Sequence, residues 1–316
     1  MRKRIALSIM LLLSLSTAGL GIQKKQKPEG TPVLWQEPTD IESRDLILGS
    51  GGAAMQPDLS RVTFVKDDPV GHSIKYRVRD AAGRIWVTKL DDEAQTETAA
   101  SRLIWAAGYV TEINYLVPCV KIEGAPEPGE RVKRCEGGGF ANVKFEARPE
   151  DVKRLDPWSW RKNHFSGSRE MQGLIVMMSL LNNWDLKDDN NKVLYVRNGG
   201  GGRGELHYVI SDLGATFGKT GSFLSHTRNR PDHYAKTKFV EGTRGGRVKF
   251  AYGGKNSGLF NSITVEQARW IGGLLSRLSD KQLADAFRAA NYTPEEVQML
   301  AGAVRARINQ LVNVQG

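Results

Sequence analysis

Two stretches of the sequence decide the fold: L-I-V-M-M-S-L-L-N-N-W-D-L-K-D-D-N-N at residues 174–191 and Y-V-I-S-D-L-G-A-T-F-G at residues 208–218. The first is an apolar run typical of a buried helix, and it ends abruptly in a turn rich in Asp and Asn. A β-type segment, a glycine-rich tip and a second β-type segment follow, so a hairpin returns the chain to that turn. The pattern predicts that two carboxylates, an amide and a lysine meet there, namely Asp185, Lys187, Asn190 and Asp212. Such a set suits Mg²⁺ and phosphate chemistry.

The first 21 residues have the composition of a secretory signal peptide. Basic residues at positions 2–4 precede an apolar run over residues 5–15, which only Ser8 and Ser14 interrupt, and small residues follow at 16–19. This order predicts cleavage between residues 18 and 22, and the apolar run is short for a bilayer span. An uncleaved membrane anchor is the alternative. The sequence therefore predicts an exported protein, periplasmic or secreted, with no membrane span in the mature chain.

The charge balance of the chain is basic. Its 316 residues include 45 Lys and Arg against 35 Asp and Glu, a net charge of +10. Basic surfaces favour anionic partners such as nucleotides, acidic proteins or phospholipid headgroups, although a solvated basic surface without a partner is commoner. The sequence has no zinc-finger, RNA-binding or basic-zipper pattern, so no specific nucleic-acid partner is expected.

Cys119 and Cys135 are the two cysteines of the sequence. In an exported chain, two cysteines this close in sequence can form a disulfide, whereas in a reducing compartment they are ordinary thiols. The pair has no neighbouring His or Cys with metal-ligand spacing. Because export is predicted and the count is even, we expect their Cα atoms to lie within about 7 Å of each other.

The hydrophobic pattern divides the chain into two parts. Period two predicts three antiparallel strands at about residues 61–66, 74–79 and 84–90, and helical spacing predicts a helix at residues 92–108. Two further segments, at about residues 113–121 and 140–148, are also predicted as strands. The second part begins with the helix that leads to Asp185 and ends with three predicted helices at about residues 264–278, 280–290 and 294–313. We therefore expect an α+β, two-lobed chain.

Domain boundaries follow from these elements. Residues 61–150 form the predicted antiparallel β-rich N-lobe, and residues 151–316 form the mostly helical C-lobe that carries the catalytic and metal loops. The polar, Pro-containing residues 22–60 are expected to be a flexible leader or linker. Residues 219–262 are Gly-rich and basic, and we expect an exposed, mobile segment that contacts substrate.

This order of elements resembles the protein-kinase-like fold. D-L-K-D-D-N at residues 185–190 is similar to the D-L-K-x-x-N catalytic loop of Ser/Thr kinases, and D-L-G at residues 212–214 is similar to the D-F-G element. T-E-T-A-A-S-R-L-I-W-A-A-G-Y at residues 96–109 resembles the glutamate-bearing helix of the atypical branch, which includes HipA-type, phosphatidylinositol-type and secretory-pathway casein kinases. The resemblance covers about residues 61–218. N-N-W-D and D-L-G-A-T-F-G also resemble the markers of a family of exported bacterial proteins.

The resemblance implies a nucleotide site. Lys89, at the end of the third strand, would hold the α- and β-phosphates of ATP or another nucleotide. Glu97 would pair with Lys89, although eight residues is a short spacing for such a pair, and Glu93 is the alternative partner. Gly71 and Ser73, in the turn between the first two strands, would lay backbone N–H groups over phosphate.

The resemblance also implies roles in transfer. Asp212 and Asn190 would bind Mg²⁺ or Mn²⁺. Asp185 would orient an attacking hydroxyl and accept its proton, and Lys187 would neutralise the γ-phosphate as it transfers.

These implications predict an exported, Mg²⁺-dependent kinase-like phosphotransferase that moves a phosphoryl group from a nucleotide to the hydroxyl of a protein, lipid or small-molecule acceptor. An AMP-transferring variant would use the same metal residues. The alternative from another class is a catalytically silent kinase-like module that binds a nucleotide, a partner or a component of the cell envelope. A third hypothesis is a hydrolase whose paired aspartates activate water.

Overall fold

The computed structural model describes residues 27–69, 73–197, 203–221 and 225–316. These residues form two lobes, and the predicted two-lobed α+β architecture is confirmed. The predicted signal peptide, residues 1–21, lies outside the described residues.

The described residues contain eleven strands and six α-helices. The strands are β1 (Gly30–Val33), β2 (Thr63–Asp67), β3 (Lys75–Arg79), β4 (Ile85–Lys89), β5 (Asn114–Val120), β6 (Phe140–Ala147), β7 (Val152–Arg154), β8 (Asn191–Val196), β9 (Gly204–Ile210), β10 (Val240–Arg244) and β11 (Arg247–Phe250). The helices are α1 (Glu93–Ala106), α2 (Arg169–Leu180), α3 (Pro231–Lys236), α4 (Val265–Ser276), α5 (Asp280–Arg288) and α6 (Pro294–Asn313).

The N-lobe is an antiparallel sheet of five strands in the order β2-β3-β4-β6-β5. Side chains alternate between its two faces, as the period of two predicts. One face is apolar and buries Val78, Trp86, Val143 and Phe145 in a core of its own. The other face points toward α1 and is charged, since it carries Lys89, Lys144 and Glu146. The sheet thus separates an apolar core from a polar cleft.

A disulfide lies at the edge of the apolar core. Cys119 and Cys135 are joined, and their Cα atoms are 5.7 Å apart, so the predicted proximity is confirmed. The loop between them contributes Ile122 and Val132 to the core. The disulfide therefore ties down the loop that covers the apolar face of the sheet.

The C-lobe is built around α2, which the sequence predicts as a buried helix. Nine of its twelve residues are buried, and the Ser168 side chain caps its first turn by accepting from Met171 N. At the C-terminal end of α2, the main-chain carbonyl of Leu180 accepts a hydrogen bond of 2.6 Å from Arg307, a buried side chain of α6. Thr264, Ser279 and Thr293 begin α4, α5 and α6 with capping boxes. These helices hold α2 in place, and α2 positions the loop that follows it.

The region predicted as a flexible leader differs in the structure from residue 27 onward. Strand β1 pairs with β9 in parallel and joins the C-lobe sheet of order β1-β9-β8-β7. Leu34, Ile41 and Leu46 are buried in the main core. Gln282 also donates from its side-chain amide to Ile41 O at 2.8 Å. These few apolar residues thus attach the polar stretch to the C-lobe.

The segment at residues 219–262 also differs from the prediction. Its described part includes α3 and the antiparallel hairpin of β10 and β11. Phe239, Phe250 and Phe260 are buried in the main core, whereas most of its basic residues stay partly or fully exposed. The aromatic residues therefore anchor a segment whose composition alone predicted a mobile one.

Within the described ranges, no helix is both long enough and apolar enough to cross a bilayer.

Candidate active site

Lys89 and Glu97 meet in the cleft between the lobes. Lys89 ends β4, Glu97 lies one turn into α1, and their side chains form a buried ion pair. Lys89 Nζ is also 2.9 Å from Glu93 Oε2 and 4.0 Å from Asp212 Oδ1. Burial by itself would lower the pKa of Lys89, but the charges of Glu97 and Asp212 raise it above its ordinary value. The short spacing of eight residues thus permits the pair, and Lys89 stays charged.

Lys144, which the sequence did not single out, holds the other oxygen of Glu97. The register places Lys89 directly opposite Lys144 on β6 and directly opposite Lys75 on β3, so three lysines form a row across the sheet. Lys144 Nζ contacts Glu97 Oε2 and is 2.9 Å from Glu146 Oε2. Burial raises the pKa of Glu97 despite the opposing charges of Lys144 and Lys89. The signal for this pair was the K-F-E pattern in β6, which puts two charges on one face of a buried strand.

Replacing Lys144 by methionine is expected to lower the free energy of unfolding by about 1.5–3 kcal/mol. Buried Glu97 and Glu146 each lose one charged partner, while Lys89 still pairs with Glu97 and Arg148 with Glu146. Urea unfolding measures the loss. Lys133→Met is the control, since Lys133 forms an exposed ion pair with Asp92 and its loss should matter much less. Equal stability of the two variants would show that Lys144 does not hold Glu97 and Glu146.

Asp212 lies just beyond the end of β9, as the hairpin predicts. Its Oδ1 accepts from Gly214 N at 3.1 Å, and its side chain is 45% exposed. Burial raises the pKa of Asp212, but the charge of Lys89 and the bond from Gly214 outweigh it, so the pKa lies below its ordinary value. Asp212 therefore presents an ionised carboxylate to the cleft.

Contacts between α1 and the D-L-G turn hold the two lobes together at the site. Thr96 Oγ1 donates to Gly214 O at 3.1 Å. A Cβ added to Gly214 would come within 2.8 Å of the Glu93 side chain, so a larger residue there would displace Glu93. Glu93 also forms an ion pair with Arg228 and accepts from Ser73 Oγ at 2.6 Å. The predicted phosphate-turn residue Ser73 thus lies beside the cluster, whereas Gly71 lies outside the described residues.

The loop after α2 brings the other predicted residues together. Lys187 Nζ is 2.8 Å from Asp185 Oδ2. Asn190 donates from its side-chain amide to Asp185 O at 2.7 Å, and its own carbonyl accepts from Asp212 N at 3.1 Å. Asn190 therefore joins the loop of one aspartate to the loop of the other. Lys255, which sequence reasoning missed, lies 3.3 Å from Asp185 Oδ1.

The carboxylates of the cleft suit a divalent cation. Oxygen atoms of Glu93, Glu97 and Asp212 lie within 4.8 Å of one another. Glu97 already forms ion pairs with two lysines, and Glu93 forms one with Arg228. Half-exposed Asp212 is therefore the carboxylate of the three that is best placed to bind a metal. The amide nitrogen of Asn190 is used toward Asp185, which leaves its amide oxygen as the ligand atom. An all-oxygen set of this kind fits Mg²⁺ or Mn²⁺.

The strand order, the lysine–glutamate pair and the placement of Asp212 after a hairpin define a fold of the atypical protein-kinase-like class. No protein-family model matches the chain, and no curated protein matches its sequence. Among solved structures, the chain is similar to the proinflammatory kinase CtkA of Helicobacter pylori, with a TM-score of 0.47 and 10% identity over 79% of this chain and 95% of that one.

Two further solved structures are more distant. One is the Golgi casein kinase with Mn and ADP bound, with a TM-score of 0.39 and 10% identity over 81% of this chain and 72% of that one. The other is hydra Fam20 with sugar, with a TM-score of 0.33 and 12% identity over 83% of this chain and 88% of that one. With TM-scores this low, the kinase-like class depends on the chain's own geometry.

Proposed function

We propose that the protein is a kinase-like phosphotransferase that moves the γ-phosphoryl group of a nucleotide, such as ATP, to a hydroxyl group with the help of Mg²⁺ or Mn²⁺. The observation that carries the proposal is the link through Asn190, which contacts Asp185 with its side chain and Asp212 with its main chain. This link supports a single site that contains both a proton acceptor and a metal ligand.

The nucleotide is proposed to bind along the row of lysines. Lys89 is buried, fixed by Glu97 and charged, so it is suited to hold phosphate oxygens. When bound, Mg²⁺ or Mn²⁺ would neutralise charge on the phosphates, and Asp212 and Asn190 are the residues proposed to hold it. Ser73 lies at the edge of this cluster, where its hydroxyl donates to Glu93 Oε2 at 2.6 Å.

Asp185 is proposed to act on the acceptor. It takes the hydroxyl proton as the acceptor oxygen forms its bond to the γ-phosphorus, and the bond from that phosphorus to the bridging oxygen breaks. The electron pair of the broken bond leaves with the nucleoside diphosphate. Lys187, 2.8 Å from Asp185, is proposed to neutralise charge on the transferring group.

We also propose that the mature protein acts outside the cytoplasm. The Cys119–Cys135 disulfide supports this location, because disulfides persist in oxidising compartments. The basic first residues and the apolar run after them support it from the sequence.

A thermal-shift screen of nucleotides on the mature protein tests the function. A nucleotide at 100 times its Kd, with Mg²⁺ or Mn²⁺, should add about 2.7 kcal/mol of stability and raise the Tm by roughly 5 °C. The shift should disappear when EDTA removes the metal. If no nucleotide raises the Tm with either metal, the proposal is wrong. Stabilisation without transfer to any acceptor would favour the silent binding module instead.

A further inference from the structure

The segment at residues 252–256 closes over the loop that carries Asp185. Lys255 N donates to Trp184 O at 2.8 Å. Gly254 lies so close to Trp184 that an added Cβ would come within 2.6 Å of Trp184 main-chain atoms. These main-chain contacts fix Lys255 beside Asp185, and they do not depend on the Lys255 side chain.

The two carboxylate oxygens of Asp185 have different neighbours. Lys187 Nζ lies 2.8 Å from Oδ2, and Asn190 Nδ2 lies 3.3 Å from the same oxygen. Oδ1 lies 3.3 Å from Lys255 Nζ, is buried, and accepts no hydrogen bond within the described part of the chain. A buried acceptor without a donor is costly, so it marks a place where a donor is expected. Oδ1 is therefore the oxygen suited to accept from an acceptor hydroxyl, and such a hydroxyl has to displace the ion pair with Lys255.

The surroundings of Oδ1 carry excess positive charge. Two partly exposed lysines flank one carboxylate, with the side chain of Lys187 42% exposed and that of Lys255 54% exposed. Lys255 belongs to the segment at residues 219–262, which has nine Lys and Arg against two Asp and Glu. Such a field attracts anions.

We infer that Lys255 selects acceptors that carry a carboxylate or a phosphate next to the hydroxyl that receives the phosphoryl group. This inference rests on the proposed function and adds the chemical class of the acceptor. The anion of such an acceptor draws Lys255 Nζ away from Asp185, and the hydroxyl then donates to the freed Oδ1. A neutral acceptor has no group that draws Lys255 away, so its hydroxyl competes with the lysine for Asp185.

The experiment compares matched acceptors with wild type, Lys255→Gln and Lys255→Arg. One pair is a serine peptide with neighbouring glutamates and the same peptide with glutamines, and the other pair is glycerate and glycerol. Wild type should prefer the charged member, and Lys255→Gln should lower the ratio of kcat/KM for charged over neutral acceptor roughly tenfold, mainly through the KM of the charged one. Lys255→Arg should retain the preference. The peptide and small-molecule pairs show which kind of compound carries the anion.

Lys249→Gln is the matched control, because Lys249 lies in the same segment but pairs with Glu241 at 2.8 Å, away from Asp185. It should keep the wild-type ratio. Equal ratios in wild type and Lys255→Gln, or transfer to the neutral acceptors but to neither charged one, would overturn the inference and leave the proposed function standing. A nucleotide-induced Tm shift with transfer to no acceptor would overturn both in favour of the silent module. Absence of any nucleotide-induced Tm shift would overturn both.

Discussion

Replacing Asp212 by alanine is expected to abolish the rise in melting temperature that Mg²⁺-nucleotide produces, while the metal-free Tm changes by no more than a few degrees. The site then loses its one half-exposed carboxylate, and Glu93 and Glu97 remain bound to Arg228, Lys89 and Lys144. The fold loses little, because a carboxylate at the edge of a loop packs little. Isothermal calorimetry with Mg²⁺-nucleotide measures the loss, and the affinity should fall by at least about 100-fold, as expected when a main anionic ligand is removed.

Asp232→Ala is the control for this variant, because Asp232 is a partly exposed carboxylate on α3 that pairs with Arg230. It should bind Mg²⁺-nucleotide as wild type does. If Asp212→Ala also binds as tightly as wild type, the metal assignment is wrong and the silent-module hypothesis gains support.

Replacing Asp185 by asparagine should keep Mg²⁺-nucleotide binding and lower kcat for phosphoryl transfer by about 10²–10⁴-fold, the range typical for the loss of a general base. Asparagine has the shape of aspartate, but its amide cannot accept the hydroxyl proton. The loop should keep its structure, because its main-chain bonds to Asn190 and Lys255 do not need the carboxylate. Transfer rates and Tm shifts measured on the same preparation separate the two effects.

Asp188→Asn is a suitable comparison for the Asp185 variant. Asp188 lies three residues further along, and its carboxylate accepts from Trp160 N at 3.0 Å, a structural contact. It should retain most of the transfer rate. A wild-type rate in Asp185→Asn would exclude Asp185 as the base.

Much of the fold could be predicted because its periodic patterns are strong. Strand β3 alternates in hydrophobicity, and Thr264, Ser279 and Thr293 cap α4, α5 and α6 with residue types that commonly begin helices. Strand β1 could not be predicted, because it has four residues, includes a proline and pairs with a strand far along the chain. Its position depends on tertiary contacts that no local pattern encodes.

The residues of the candidate site also divide into those that the sequence could predict and those that it could not. Asp185, Asn190 and Asp212 lie in motifs of fixed spacing, so their proximity could be expected. Arg228 and Lys255 reach Glu93 and Asp185 from a segment whose path depends on buried aromatic residues such as Phe239. The ion pairs of Arg228 and Lys255 can therefore be identified only from the folded path of that segment.

The parallel pairing of β1 with β9 bears on how the chain is made. Gly30 lies opposite Gly204, so the first described strand must wait during synthesis until about 170 further residues have been added. At roughly 5–20 residues per second, that wait lasts on the order of ten seconds or more. During it, the apolar anchors Leu34, Ile41 and Leu46 lack their partners in the C-lobe. A nascent chain whose larger core cannot form early remains accessible to chaperones. A fragment that ends before residue 204 should not reach the native state.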